Sequence, residues 1–511
     1  MSRVKNFSKA VFSGYALLGV NILYTLASVP LALHYLSKEE FGLWVLVTQV
    51  CNFNSLLIDL GMAGAMSRIL IDHKDDKTNP AYGSVIQTGF LVLLVQGVLI
   101  AVVGGLISYW LPHWMAVPEN HWSIFRSLVI WQCIMLAISF STRIFVFILQ
   151  AHQRYDIGNY SNIGGFVLSL GALWAGFYFN MGLYSLLLAG GASILVTGVY
   201  SFWKVWQLNL FPQKGCWGRP NRATFKELFF YGLDIFLLSI GQQLISASQV
   251  PVITKTLGLE AAAVWSIAIK FFVMVQQLVY RLFDFSAAAF SEMMVREERE
   301  RLQMRFRDIV VLTGSVSVSV GLMMALCNQS FLHLWTRNRI SWSIENDLLM
   351  SISLIVYAIT RCHIGLAGLT KQILTMKYVY LTEGVAFAGL GLLLAPKFGL
   401  MGVILSGIVT NLIFSGIYGN YRTAKYFQIR KSELIVVWLR PSAWLLLILS
   451  LAAIVVWNIT HSLTPFWQLL AGASMMGVVT SYCFWKVGLP SGIRKELLAR
   501  YQNWRARASS G

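Results

Sequence analysis

The chain has 511 residues, of which 57% are hydrophobic and 12% charged, with a formal charge of +18. A soluble domain carries about 25% charged residues, so half that proportion leaves too little polar surface for a water-soluble globule and argues against a soluble α/β architecture. The excess of Lys and Arg invites a nucleic-acid partner, but these residues lie in short loops between apolar segments, which is how membrane topology is written.

A bilayer core takes about 20 mostly apolar residues per helix. In chain order such runs span 11–36, 41–66, 83–110, 124–150, 161–179, 182–206, 227–255, 260–290, 309–335, 346–370, 376–396, 399–421, 438–458 and 466–489. This predicts an all-α membrane protein of about fourteen transmembrane helices. The first run, with Asn21 and Pro30 inside it, exceeds the apolar stretch of about 7–15 residues in a cleavable leader and is expected to be retained. Around Asn180 and Lys397 the connections are so short that the chain must reverse between antiparallel helices. The 18 Trp and 20 Tyr suit the headgroup level. Cys51, Cys133, Cys216, Cys327, Cys362 and Cys483 are scattered without CxxC or metal-ligand spacing, so no disulfide framework, metal or cofactor is expected.

With the N-terminus placed in the cytoplasm, thirty Lys and Arg collect on the cytoplasmic side and five, Lys38, Lys255, Arg337, Arg339 and Lys397, on the other. That bias expects both termini inside and an even number of spans. The stretch Glu292–Asp308 mixes Arg and Glu at helical spacing and reads as a solvated cytoplasmic helix.

A shift of about 218 residues brings the two halves into register. Phe7 and Gly14 fall on Phe225 and Gly232, and Thr142–Arg143 falls on Thr360–Arg361. Gly182–Leu183 falls on Gly399–Leu400, Leu36, Glu39 and Trp44 fall on Leu257, Glu260 and Trp265, and Asp59 falls on Asp284, at slightly different shifts. The pattern predicts two pseudo-symmetric six-helix lobes of like orientation, the parallel-repeat arrangement of some transporters. The expected divisions are an N-terminal lobe 1–206, a cytoplasmic linker 207–226, a second lobe 227–422, two accessory helices 423–490 and a basic cytoplasmic tail 491–511.

Arg126, Arg143, Lys270, Arg281 and Arg361 are left within spans, with the acids Asp59, Asp234, Asp284 and Glu383. A charge at the bilayer centre costs about 2.5–3.5 kcal/mol on insertion scales, so such residues should face protein or a water-filled cavity. Lys270, Gln277, Arg281 and Asp284 fall on one stripe of one helix. Ser239, Gln242, Ser246 and Gln249 do the same on the preceding one, and Asn52 shares a face with Asp59. These stripes suggest a hydrated cavity with Arg143, Arg361, Lys270, Arg281, Gln277 and Asn52 as lining residues. Its cationic sign suits an anionic substrate, with Arg offering phosphate a planar fork of donors. Structural alternatives stand beside this reading: Arg126 snorkels to an interface, Arg281 and Asp284 form a local ion pair, and Asp59, Asp234 and Glu383 orient neighbouring helices.

Phe12–Ser13–Gly14, Leu36–Ser37–Lys38–Glu39–Glu40–Phe41–Gly42–Leu43–Trp44, Leu57–Ile58–Asp59–Leu60–Gly61–Met62, Arg68 and Gly399–Leu400–Met401–Gly402 occur in this order. Together they resemble the signature of Wzx-type polysaccharide flippases, in the multidrug/oligosaccharidyl-lipid/polysaccharide exporter superfamily. The resemblance implies two six-helix lobes around a central cavity and two peripheral helices. It also implies a bacterial inner-membrane transporter that flips polyprenyl-diphosphate-linked oligosaccharide (O-antigen, capsule or exopolysaccharide units) by alternating access. H+ or Na+ would be the coupling ion, with Asp59, Asp284, Glu383 and Asp234 as candidate carriers, and polysaccharide polymerase machinery a partner. A lipid II-type flippase or a drug or cation exporter of the same superfamily is the alternative; intramembrane Arg and Lys exceeding acids disfavours the cation exporter. A membrane polymerase or ligase would need sizeable outer loops, whereas the longest here is about a dozen residues near Leu111–Trp122, and no nucleotide or catalytic motif appears.

Overall fold

The computed structural model describes residues 3–74, 77–370, 374–490, 492–496, 498–499 and 502. Lys371 and most of the predicted basic tail, with Arg500, Arg505 and Arg507, lie outside the described residues. The helices are α1 Arg3–Tyr35, α2 Lys38–Asp59, α3 Met62–His73, α4 Pro80–Trp114, α5 Trp122–Ala151, α6 Tyr155–Tyr178, α7 Tyr184–Gln207, α8 Arg222–Leu257 and α9 Leu259–Ala268. They continue with α10 Lys270–Val295, α11 Arg299–Trp335, α12 Ile344–Leu369, α13 Leu374–Phe398, α14 Leu400–Asn411, α15 Ile417–Phe427, α16 Arg440–Thr460 and α17 Pro465–Cys483. No strand occurs among the described residues, so the all-α reading stands.

Every run read as a span is helical, but the helices are not uniform. Among the described residues ten are long and apolar enough to cross a membrane, or twelve if two bent pairs each count as one. α6 and α17 fall outside that set. The second predicted span is broken into α2 and α3 where Leu60 (φ 47°) and Gly61 (φ 72°) take left-handed backbone. Gly is needed there, because a Cβ at Gly61 would stand 2.2 Å from the Gly232 carbonyl oxygen. The eighth is bent by 41° between α9 and α10. Glu292–Asp308 is not one solvated helix: α10 ends at Val295, Glu297 turns left-handed (φ 58°), and α11 starts at Arg299.

The chain forms two compact units, Met1–Ile240 with Val250–Ala263, and Gly241–Gln249 with Val264–Gly511. Lipid tails are as apolar as Leu, so membrane helices associate mainly by close packing at small residues. In the first unit Gly97 lies against Ala137 between α4 and α5, and Gly165 and Gly176 lie against Ser193 and Ser185 between α6 and α7. An added Cβ would come within 2.7–2.8 Å of these neighbours. Cys51 and Cys133 meet there at 3.6 Å as free thiols.

The segment between α7 and α8, expected as a linker, is strapped to the start of α4. Lys77 Nζ donates to the Asn209 carbonyl (2.8 Å), Tyr82 OH to that of Leu210 (2.9 Å) and Ser84 Oγ to that of Arg219 (2.6 Å). The Asn221 amide donates to Thr88 Oγ1 (3.0 Å), and its side chain caps α8 by accepting from the Ala223 amide.

In the second unit α10, α12, α16 and α17 all pack on the long α11. Phe306 stacks within 5.7–6.0 Å of Phe290, His363, Phe427 and Trp438. The last two helices join α11 through Val318, Leu322, Leu326, Leu445, Leu449 and Met476. The same seam is keyed by Ser330 Oγ donating to Gln468 Oε1 (2.9 Å).

Candidate functional site

In the second unit the arginine of the repeated Thr–Arg step is paired with an aspartate; in the first unit the corresponding arginine feels one only through space. In the second unit Arg361, on α12, donates from Nη2 to Asp284 Oδ1 on α10 at 3.0 Å. Its guanidinium lies 5.8 Å from the centre of the Tyr280 ring, one turn before Asp284. Its Nε is buried without a hydrogen-bond partner among the described residues. In the first unit Arg143, on α5, lies 4.0 Å over the ring of Phe140 and is attracted through space by Asp59, the last residue of α2. Asp59 accepts from the amides of Gly61 and Ala63 beyond the helix break, while its Oδ1 is buried without a hydrogen-bond partner among the described residues. Gln96 Nε2 fastens this end of α2 by donating to the carbonyls of Ile58 (3.1 Å) and Asp59 (2.9 Å).

Thus Asp284 pairs with Arg361 and Asp59 interacts electrostatically with Arg143, the residues that the sequence comparison aligns at shifts of 225 and 218 respectively. The anticipated local pair of Arg281 with Asp284 is replaced by a pair between helices. Three residues apart on one helix, Arg281 and Asp284 have the spacing to meet, but the carboxylate is taken by Arg361 and Arg281 is exposed.

Around Arg361 the second unit has a polar cavity of about 270 Å³. Tyr280, Tyr357, Tyr380, Gln242 and Asn411 line it with Arg361. Gly407 makes room for the Tyr357 hydroxyl, which lies 2.2 Å from where a Cβ would be. Beside the cavity Glu383 is only 2% exposed. Asn411 Nδ2 donates to its Oε1 at 3.0 Å, and Ser415 Oγ donates to its Oε2. Asn411 immediately precedes, and Ser415 lies within, a π-helical turn, Leu412–Gly416, between α14 and α15; such turns recur at functional sites. Close passage of α8 by α13 holds the wall, since a Cβ on Gly241 would stand 2.2 Å from the Tyr380 backbone.

The other sequence candidates are more dispersed. Lys270 is half-buried at the bend into α10, while Gln277 is exposed further along that helix. Asn52 is exposed on α2, and Asp234 is exposed on α8 in the first unit. Gln249 Oε1 accepts from Trp265 Nε1 at 3.3 Å. Arg126 lies 5.1 Å over Tyr109 and 5.7 Å over Trp122, which fits an interfacial position. The three tyrosines, Asn411 and Ser415 were not singled out by sequence reasoning, although Tyr380 and Glu383 have helical i,i+3 spacing. Among the described residues no group of three or more His, Cys, Asp or Glu is placed to hold a metal.

Comparison with known proteins gives a match of residues 9–294 to the family described as polysaccharide biosynthesis protein. No curated protein matches significantly. Among solved structures, the lipid II flippase MurJ in an inward closed conformation is similar with a TM-score of 0.69 and 13% identity, over 93% of this chain and 99% of that one. An inward-facing multidrug resistance MATE family transporter of the MOP superfamily gives 0.68 and 14%, over 80% and 95%. A MOP superfamily transporter from Pyrococcus furiosus gives 0.57 and 14%, over 83% and 95%. At such identities the likeness establishes the fold, that of MOP-superfamily transporters.

Proposed function

Because the chain belongs to the polysaccharide biosynthesis protein family, we propose that it is a flippase for polyprenyl-diphosphate-linked oligosaccharide. The bilayer is the bacterial inner membrane, with both chain termini in the cytoplasm. The cargo's diphosphate and sugars pass from the cytoplasmic to the periplasmic leaflet while the prenyl tail stays in lipid. The segments 1–206 and 227–422 act as the two lobes of an alternating-access cycle, with 423–490 as accessory helices. No covalent chemistry is required of the protein.

One observation carries this reading: a half-buried guanidinium, Arg361, keeps a buried Nε donor, unpartnered among the described residues, beside a polar cavity. An arginine inside a membrane helix is costly unless it has work to do, and a planar fork suits a diphosphate. Tyrosine faces beside it suit the apolar faces of sugar rings. The repeated pair Arg143–Asp59 gives the other lobe an equivalent cation. Lys270 adds a point charge, and Gln277 and Asn52 add polar lining. Glu383, held by Asn411 and Ser415, together with Asp59 and Asp284, supplies carboxylates for a coupled proton or sodium ion.

The test is complementation of a strain lacking the gene, together with a translocation assay of lipid-linked oligosaccharide in vesicles. Arg143→Ala combined with Arg361→Ala should abolish surface polysaccharide and translocation while the protein remains folded in the membrane. Unchanged transport by that variant would sink the proposal.

A further inference from the structure

A larger cavity than the one around Arg361 lies elsewhere in the second unit. A cleft of about 820 Å³ opens where α10 and α12 end, α11 begins and α15 finishes. Sequence reasoning spends the basic residues of this region on membrane orientation, yet three of them, Arg299, Arg422 and Lys425, line the one cleft against a single acid, Glu297.

Their neighbours are neutralised locally: Arg296 pairs with Glu292, and Arg301 with Glu298 at 2.9 Å. Arg299, in the cleft, is held differently. Arg299 donates to the Tyr426 carbonyl and its guanidinium lies 5.8 Å over the Tyr426 ring, a neutral support that fixes its direction without cancelling its charge. Arg422 donates to Thr370 Oγ1 at 3.3 Å. Lys425 is exposed three residues further along α15, on the same face. Met293, Met294 and Leu369 give the cleft an apolar wall, beside the hydroxyl residues Ser291 and Thr370. Methionine is unbranched and adapts to irregular chains.

We propose that this cleft is a second binding site, taking the phosphate or diphosphate group of an amphiphile on Arg299, Arg422 and Lys425 and the start of its apolar stem on Met293, Met294 and Leu369. Arginine and lysine on one side suit the anion; a cleft for a free anion would not need the methionine wall. The site stands on residues separate from the Arg143 and Arg361 pairs. It rests on the proposed flippase orientation only for its placement at the cytoplasmic leaflet, where a lipid-linked diphosphate would be captured before translocation.

The test uses the full chain in phosphatidylcholine nanodiscs and three probes: farnesyl diphosphate, inorganic pyrophosphate and farnesol. In an Arg143→Gln/Arg361→Gln background, which disables the proposed translocation site, farnesyl diphosphate should still bind. Adding Arg422→Gln and Lys425→Gln should weaken it about tenfold or more, the loss of charge-assisted contacts. The exposed single change Lys425→Glu should weaken it in the same direction if the double change fails to fold. Unaltered affinity in folded variants overturns the proposal. So does pyrophosphate binding as tightly as farnesyl diphosphate, which marks a free-phosphate site, or farnesol binding as tightly, which leaves the cations idle. Transport by the background variant is a separate readout and bears only on the flippase reading.

Discussion

An arginine that already holds a carboxylate must release it, or share it, before it can grip an anionic ligand fully. Asp284 is therefore a competitor for any ligand of Arg361 as well as its anchor. At 34% and 38% side-chain exposure, the pair is open enough that its net worth is about 0.5–1 kcal/mol. Asp284→Asn is accordingly expected to tighten binding of a diphosphate probe about two- to fivefold, measured by calorimetry on purified protein. A purely structural pair predicts the opposite, weaker binding with a lower melting temperature. The arginine itself was legible in the sequence, because a charge in an apolar run stands out and the Thr–Arg step recurs. Its partner was not. Helical periodicity relates residues on one helix, so it points Asp284 to Arg281, whereas the actual partner is 77 residues away. The tyrosines escaped for another reason: in an apolar helix Tyr280, Tyr357 and Tyr380 are indistinguishable from packing residues until their neighbours are known.

Among the elements, the runs of apolar residues located the helices well but said nothing of their breaks. Hydropathy is blind to backbone dihedrals, so the left-handed Leu60–Gly61 step and the bend at Ile269 passed unseen, as did the π turn beside Glu383. Crossings at glycine were equally hidden. Gly241 on α8 and Gly384 on α13 lie together, and a Cβ on Gly384 would sit 2.8 Å from the Gly241 carbonyl oxygen. Gly241→Val should force these helices apart. The expected cost is about 1–3 kcal/mol, read as a lower melting temperature by tryptophan fluorescence in detergent. Because Tyr380 and Glu383 share that stretch of α13, transport should fall more than the loss of folded protein accounts for.

For the whole molecule, the proposed orientation, argued from thirty basic residues against five, can be checked directly. In a cysteine-free background, Arg337→Cys should react with a membrane-impermeant maleimide in intact cells. Lys214→Cys, exposed on the opposite side of the proposed topology, should react only after the membrane is opened. Labelling of Lys214→Cys from outside would reverse the assignment. At this scale the all-helical, many-span reading needed no knowledge of contacts, since hydropathy alone carries it.

The strap between α7 and α8 has a practical consequence. Its residues 208–221, with Pro212, Gly215, Gly218 and Pro220, resemble a tether that would, if free, wander over about 20 Å. Sewn to α4 through Leu210, Arg219 and Asn221, and to Lys77 just before it through Asn209, it has no slack to give. A protease nick within it should leave two fragments that still elute as one particle, because the cut ends remain fastened to the same helix.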